Sequence, residues 1–466
     1  MEEENNRTMR KRDVVIVGGG LTGLTLAHSL LKKGIDLEVL ERKSRVGGQI
    51  QTFEEEGFVF ESGPNTGIIS YPEVVELLDE LRPHCTLETA DPRARQRWIW
   101  KGDRFHALPS GPLSALTTSL FTTQDKLRIL CEPWRSKGID PNESVADLTR
   151  RRLGESFLKY AVDPFVSGIY AGDPYRLITR RALPRLYQLE QTYGSFIRGA
   201  WRKSRMPKSE RDRRATKEVF SIQGGLHKLI HALEQSVTQT RITLSANNVR
   251  IFPPSNGVWQ VNYQDETGKM QTLMCKQVVC TVPAYELPSL LSFITDEQRT
   301  AFEALEYASV IQVAVGFRQL PTASYTSFGG LFPSCEEQST LGILFPSSCF
   351  AHRAPADGML FSFFLGGVRQ PHIITLNDNE IESIVLDSIH RHLKLPPSIT
   401  PDLIRIFRHR HAIPQHDVRS DACHLALEEL KQTYPGLVIA GGMTGGIGMA
   451  DRIKQAMQLA STWAST

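Results

Sequence analysis

The sequence predicts an α/β fold, α+β overall, and two observations predict it. Near the start an apolar strand, Val14 to Val17, runs into Gly18-Gly19-Gly20-Leu21-Thr22-Gly23, then a helix, then a second strand ending on Glu41. Near the end the strand Leu437 to Ala440 runs into Gly441-Gly-Met-Thr-Gly-Gly-Ile-Gly448 and a helix from about Met449. A strand that hands a glycine turn to a helix start cradles a diphosphate, because the helix N-terminus offers N–H groups and a positive dipole. Two such turns at opposite ends describe one discontinuous Rossmann-like domain with other units inserted into it.

The elements follow in order. Gly18 permits the tight turn, Gly20 lets backbone approach a pyrophosphate, and Gly23 lets helix and strand pack closely. Glu41 falls about where an acid hydrogen-bonds a ribose hydroxyl. Arg45-Val-Gly-Gly48 and Glu61-Ser-Gly-Pro-Asn-Thr66 come next. An NAD site needs neither glycine turn; a flavin is larger, and a second glycine pair lets the chain pass close to it. Pro72 to Leu81 reads as a helix, and Arg97 to His106 as a hairpin around Gly102-Asp103. Residues 113–189 carry apolar residues at helical spacing, punctuated by Pro133, Pro141, Pro164 and Pro174.

The stretch 198–217 is strongly basic and reads as a solvated, mobile loop. Its alternatives are a contact with anionic lipid headgroups or an electrostatic gate for an acidic substrate. Order returns at Phe220 to Gly225, followed by a helix to about Ser236 and strands at 242–244, 249–251, 258–263 and 277–282. A second strand-rich block covers 310–316, 329–332, 341–345 and 359–366, with a helix at 379–393. The expected division is a nucleotide domain of residues 1–90, 215–300 and 425–466, a helical unit of 110–197 that could face a membrane, and a sheet-containing substrate domain of 91–109 and 301–424.

Composition narrows the function. The chain has 466 residues, 41% hydrophobic and 23% charged, as in a globular protein of two or three domains. A net charge of +3 is too small to imply nucleic acid. No apolar stretch is long enough to span a membrane, and Met1 to Arg12 lack the apolar core of a secretory signal. The seven cysteines are odd in number and form no CxxC pair, which fits a reducing cytosol with neither disulfides nor zinc. Histidine gives no metal pattern; Arg408-His-Arg-His411 reads as a partly exposed basic strand end.

These residues resemble a known family. The two glycine turns, Glu41, Gly47-Gly48 and Gly224-Gly225 are similar to those of the FAD-dependent amine oxidase and desaturase superfamily. Ser167-Gly-Ile-Tyr-Ala-Gly-Asp-Pro174, Leu341 to Phe350 with Arg353-Ala-Pro355, Phe363-Phe-Leu-Gly-Gly367 and Gly445-Gly-Ile-Gly448 before Asp451 resemble the HemY-type protoporphyrinogen/coproporphyrinogen oxidases within it. The resemblance implies a Rossmann-like FAD-binding domain holding FAD non-covalently. Gly18, Gly19, Gly20, Leu21, Thr22 and Gly23 then meet the diphosphate, Glu41 the adenosine ribose with Arg42 beside it, and Val249 the adenine side through its backbone. Gln49, Gly63, Pro64, Asn65 and Thr66 lie along the flavin, and Gly442, Ile447, Gly448 and Met449 hold the ribityl and isoalloxazine parts. For the substrate it implies Arg97 at a propionate, with Arg95 competing for the role, Asn65 over the flavin, and Leu331, Leu344 and Phe364 against the pyrrole rings. Without the resemblance those three apolar residues read as ordinary core. One departure is Gly446-Ile-Gly-Met-Ala-Asp451, where the family often runs into a Val-Pro-Asp-type stretch.

The implied reaction is oxidation of a porphyrinogen to a porphyrin by repeated hydride transfer to flavin N5, with O2 as acceptor and H2O2 released, in haem biosynthesis. No catalytic proton-transfer residue and no metal is expected, since the cofactor performs the difficult step. The sequence leaves open protoporphyrinogen IX against coproporphyrinogen III, a homodimer, peripheral contact with the inner face of the cell membrane by a cytoplasmic protein, and hand-off to the next haem-pathway enzyme. The rivals are another flavin amine oxidase, a carotenoid-type desaturase, and a non-catalytic nucleotide-fold binding protein. Against the amine oxidase stands the lack of Cys and of aromatic residues between Leu437 and Ala450; against the binding protein stand two intact glycine turns.

Overall fold

A computed structural model describes residues 10–238, 241–320 and 325–463. Residues 1–9, the greater part of the charged leading segment, lie outside the described residues. The α/β expectation holds: the chain forms two seven-stranded sheets, a two-stranded hairpin and a three-stranded sheet, with helices between them.

The first sheet runs in the order Ile242–Thr243, Leu37–Leu40, Arg10–Val17, Met270–Cys280, Val258–Gln264, Asn247–Ser255, with Leu437–Ile439 also paired to Met270–Cys280. Arg10–Val17 is parallel to Leu37–Leu40 and to Met270–Cys280, and the latter is parallel to Leu437–Ile439. Strands buried on both faces read as continuous apolar runs, and here Val14 to Val17 are all buried. The helices Leu21–Leu31 and Met449–Ser461 pack on each other, although their sequences stand at opposite ends of the chain. The structure therefore assembles this sheet from three stretches of sequence.

The second sheet runs Leu403–Pro414, Tyr307–Phe317, Met359–Gly366, Thr340–Leu344, Gly329–Leu331, Arg97–Lys101, Arg104–Ala107. The early hairpin Arg97–Ala107 is its last pair of strands, joined through parallel pairing of Arg97 with Gly329 and Ile99 with Leu331. Its two faces differ. Trp100, Ile343, Phe361, Phe363, Val313 and Val315 pack against the helix Asp378–His392 through Ile381, Val385 and Ile389, forming one core. The opposite face meets the hairpin Thr52–Glu61, where Ala314 and Leu360 pack with Phe58 and Phe60.

Between Pro112 and Arg213 lies a chain of short helices. Here one expectation needs correction. Residues 198–217 are not a loop throughout: Phe196–Arg205 and Glu210–Arg213 are helical. Charge alone suggested solvation, but Ser195 caps the first helix and Ser209 the second, each accepting an N–H three residues on. Arg211 pairs with Glu76 and Arg214 with Asp79, so part of the basic charge is matched by the helix Pro72–Glu80. The helical unit consequently runs past residue 197. Among the elements that were not predicted are the hairpin Thr52–Glu61 and the helices Asp296–Glu303 and Ser420–Thr433.

Candidate active site

Parallel strands of the first sheet end along one edge, and their next residues are stitched together there. Gly18 donates to the Leu40 carbonyl, Thr281 to Val17, Ala440 to Cys280, and Glu41 to Thr243. Ligands of open α/β sheets bind at this carboxyl edge. Gly18 has φ +111°, and a Cβ there would fall 2.6 Å from Thr281 Oγ1; at Gly23 a Cβ would fall 2.0 Å from the Gly18 carbonyl oxygen. No side chain caps the helix Leu21–Leu31, whose N-cap is Gly20, so its first N–H groups are left for a ligand.

The second glycine pair closes over the first. Gly47 donates to the Gly19 carbonyl at 2.8 Å, and Gly20 and Gly48 face one another: a Cβ on Gly48 would lie 3.4 Å from the Gly20 Cα. Arg45 fixes this turn by donating to the carbonyls of Val46, Ile50 and Gly48 and to Gln51 Oε1. The buried carboxylate of Glu41 accepts from Gly19 N at 2.8 Å and from Lys43 N at 2.9 Å. It therefore braces the glycine turn and keeps lone pairs for a hydroxyl. Arg42 is exposed and paired with Glu286 at 2.9 Å. Val249 is half-buried on Asn247–Ser255, and Ala246 just before it donates to the Glu41 carbonyl. Leu21 and Thr22 are buried in the first helical turn.

Gln49 is exposed, and Gly63 passes so close that a Cβ would lie 2.2 Å from the Gln49 carbonyl. Pro64, Asn65 and Thr66 are half-buried between the two sheets' elements. At the closing turn Gly441 has φ +120° and donates to Gln455 Oε1, and Gly448 is the N-cap of Met449–Ser461, where Asp451 Oδ2 accepts from its N–H. Gly442, Ile447 and Gly448 are half-buried and Met449 is buried. Arg452 lies buried behind this turn, and among the described residues none of its guanidinium nitrogens has a hydrogen-bond partner. Burial lowers its pKa to about 10, so it stays charged at neutral pH.

The other face of the second sheet carries the remaining candidate residues, partly covered by the helical unit, where Leu331 packs with Leu120 and Phe121 and Phe364 with Ala171. One row across the strands is Ile99, Leu331, Gly342, Phe364 and Gln312; two residues away the parallel row is Arg97, Gly329, Leu344 and Ser362. Residues two apart share a face, so Arg97, Leu331, Leu344 and Phe364 stand together. The first is exposed and the other three are half-buried, while Ile99, Gln312 and Ser362 of the same rows are buried. Ser362 Oγ donates to Asn65 Oδ1 at 3.0 Å, and Gln312 Nε2 to the Glu61 carbonyl at 2.7 Å, which docks the sheet onto the Glu61–Thr66 stretch. Glu61 itself accepts from Leu226 N and Thr52 Oγ1; burial pushes its pKa up to about 7 against these bonds and Arg353. Thr281, Gln312 and Ser362 were not singled out in the sequence, because their roles depend on register between distant strands.

The cradle, the carboxyl edge and a family model agree. The description "Flavin containing amine oxidoreductase" matches residues 21–454. The chain belongs to this family. The cofactor is FAD, and the side-chain-free cleft between Gly20 and Gly48 fits its diphosphate. Among relatives, protoporphyrinogen oxidase 1 of Arabidopsis thaliana chloroplasts is 30% identical, with 96% of this chain and 87% of that one covered. Coproporphyrinogen III oxidase of Bacillus subtilis is 26% identical over 96% of each. Among solved structures, a candidate protoporphyrinogen oxidase from Exiguobacterium sp. superposes with TM-score 0.78 at 24% identity, covering 97% and 99% of the two chains. A reduced UDP-galactopyranose mutase superposes at 0.73 with 16% identity over 97% and 95%, a likeness of fold alone.

Proposed function

We propose that this flavin oxidase converts a porphyrinogen, protoporphyrinogen IX or coproporphyrinogen III, to the porphyrin in haem biosynthesis, with O2 as acceptor and H2O2 released. The observation that carries the reading is the half-buried apolar face of Leu331, Leu344 and Phe364 with Arg97 at its edge, set beside Asn65 of the cofactor domain. A porphyrinogen is broad, apolar and rimmed by carboxylates, and such a slot with a cation at its mouth is what it needs.

Bound FAD supplies the hydride acceptor. The chain's residues place the substrate against it. Leu331, Leu344 and Phe364 cover ring carbons and keep water out. Asn65 is oriented by Ser362 and by its own bond to the Gly63 carbonyl, which leaves its side chain fixed at the slot floor. Arg97 lies over the Phe328 ring at 5.3 Å, and no carboxylate pairs with it among the described residues, whereas Arg95 pairs with Glu218. This difference favours Arg97 as the propionate partner. No general base is assigned: buried Glu61 is taken up by Leu226 and Thr52.

Peripheral membrane contact is part of the reading. Ile197 and Trp201 are exposed along Phe196–Arg205 among Arg198, Arg202, Lys203 and Arg205, as is Met206 just after it, and Leu127, Leu130 and Trp134 are exposed on the same unit. Among the described residues no helix is long and apolar enough to cross a membrane. Exposed aromatics beside cations suit an anionic lipid surface, which would also receive an apolar product.

The deciding experiment measures porphyrin fluorescence under air from both porphyrinogens, side by side, with the yellow purified protein. Formation of porphyrin with H2O2 supports the reading. Flavin-loaded protein inert toward both substrates overturns it. Sedimentation with anionic but not neutral vesicles, lost in Trp201→Ala, checks the membrane contact.

A further inference from the structure

We propose that Arg369 is a positioning residue for the substrate face, acting by clamping the helix Asp163–Tyr170 onto the second sheet; the inference rests on the porphyrinogen reading. Its guanidinium has two arms in use. Nη1 donates to Asp163 Oδ1 at 2.6 Å and Nη2 to Asp173 Oδ1 at 2.9 Å. The two carboxylates flank the helix, Asp163 as its first residue and Asp173 just beyond its end. One planar fork thus holds both ends of the helix, which a lysine point charge does not reproduce.

The clamp reaches the site through two small residues. Gly168, inside the helix, lies under Leu331, and a Cβ there would fall 2.4 Å from Leu331 Cδ2. Ala171, which ends the helix at φ 47°, packs with Phe364, and its carbonyl accepts from Val368 N at 2.9 Å. Gly367 must lack a side chain because a Cβ would fall 2.8 Å from that same carbonyl. Asp163, 3% exposed, also accepts from Ser334 N at 2.7 Å and Ser334 Oγ at 3.0 Å, so it fixes the loop that follows Leu331 as well. The stretches Ser167 to Pro174 and Phe363 to Gly367 are therefore the two halves of one joint. Leu331 and Phe364 owe their positions to that joint, and Arg369 closes it without facing the substrate row.

The test uses full-length, flavin-loaded protein with Arg369→Lys, Arg369→Met and Asp173→Asn, and measures KM, kcat and melting temperature for the porphyrinogen the wild type oxidises. Arg369→Lys and Asp173→Asn are expected to bind flavin normally and to raise KM on the order of 10-fold, below the loss that about 1 Å of misplacement can produce. The double variant Arg369→Met/Asp173→Asn is expected to lose no more than Arg369→Met alone, because the two act through one contact. A purely structural role would lower melting temperature and active fraction and leave KM of the surviving enzyme unchanged; that result overturns the proposal. So does a wild-type KM in both Arg369→Lys and Asp173→Asn, which decide the matter if Arg369→Met fails to fold. If the wild type oxidises neither porphyrinogen, the proposed function fails; if it oxidises one and the variants match it, only this inference fails.

Discussion

Ser362 donates a hydrogen bond to Asn65 across the boundary between the two sheets, at 3.0 Å. One partner sits on the strand Met359–Gly366 and the other on the loop that leaves the Thr52–Glu61 hairpin. The bond therefore sets the height of the apolar row above the cofactor cleft. Ser362→Ala is expected to keep its flavin, to lose ~1 kcal/mol of stability, and to lower kcat/KM by about five-fold through a loosened Asn65. Flavin absorbance, thermal melting and steady-state rates on one preparation check this.

Neighbouring phenylalanines on one strand should behave oppositely. Phe363 is fully buried against the helix Asp378–His392, so Phe363→Ala is expected to cost about 3–5 kcal/mol of stability. Phe364 is half-buried on the other face, packed only on the small cluster of Ala171, Ala308 and Val310, so Phe364→Ala should lose clearly less stability than Phe363→Ala and raise KM. Equal melting losses in denaturant titrations of the two would contradict the assignment of faces.

A cofactor prediction concerns Gly23. A Cβ there would meet the Gly18 carbonyl at 2.0 Å, and the opposing atom is backbone, with no rotamer to yield. Gly23→Ala is expected to yield protein without bound flavin, read from the ratio of visible to ultraviolet absorbance.

The pH dependence has a definite sign. Burial lowers the pKa of His392, His416 and His424 to about 4 from an ordinary value of 6.5. Unfolded chains then bind more protons than folded ones between those values, so stability falls as pH drops from 6.5 toward 4. Glu61, raised to about 7 from 4.5, works the other way: its contribution is present below 4.5 and lost as pH rises through 7. Three groups outweigh one, so a net acid-side loss is expected. Glu61→Gln should steepen it and His424→Gln should shallow it, as followed by melting temperature across that window.

Arg452 offers a stability test. An unpaired buried charge is costly, and an apolar replacement of similar length relieves the cost. Arg452→Met is expected to raise the melting temperature of the flavin-free protein. A lower one would mean that the guanidinium is paired in solution.

The cofactor half of the site was legible because its chemistry is local: Gly18 to Gly23 and Gly441 to Gly448 are each a strand, a turn and a helix in one run of sequence. Apolar strand cores such as Val310 to Gly316 were legible for the same reason. What escaped was set by pairing at a distance. Thr281 matters because Met270–Cys280 lies beside Arg10–Val17, and Gln312 because its strand neighbours Phe364. The helix at 420–433 escaped because its exposed, charged face dilutes its apolar spacing, and 198–217 was misread because its acidic partners Glu76 and Asp79 are remote.

The strand Arg10–Val17 has a consequence for how the chain is made. One of its neighbours, Leu37–Leu40, emerges soon after it, but the other is Met270–Cys280, and that strand in turn waits for Leu437–Ile439. During synthesis the early glycine turn must persist for most of translation before its wall and its closing helix exist. Flavin loading is thus a late event in the life of the polypeptide. Contacts so far apart in sequence also make folding slow, and the cleft is complete only once the strand Leu437–Ile439 and the helix after it have joined the sheet.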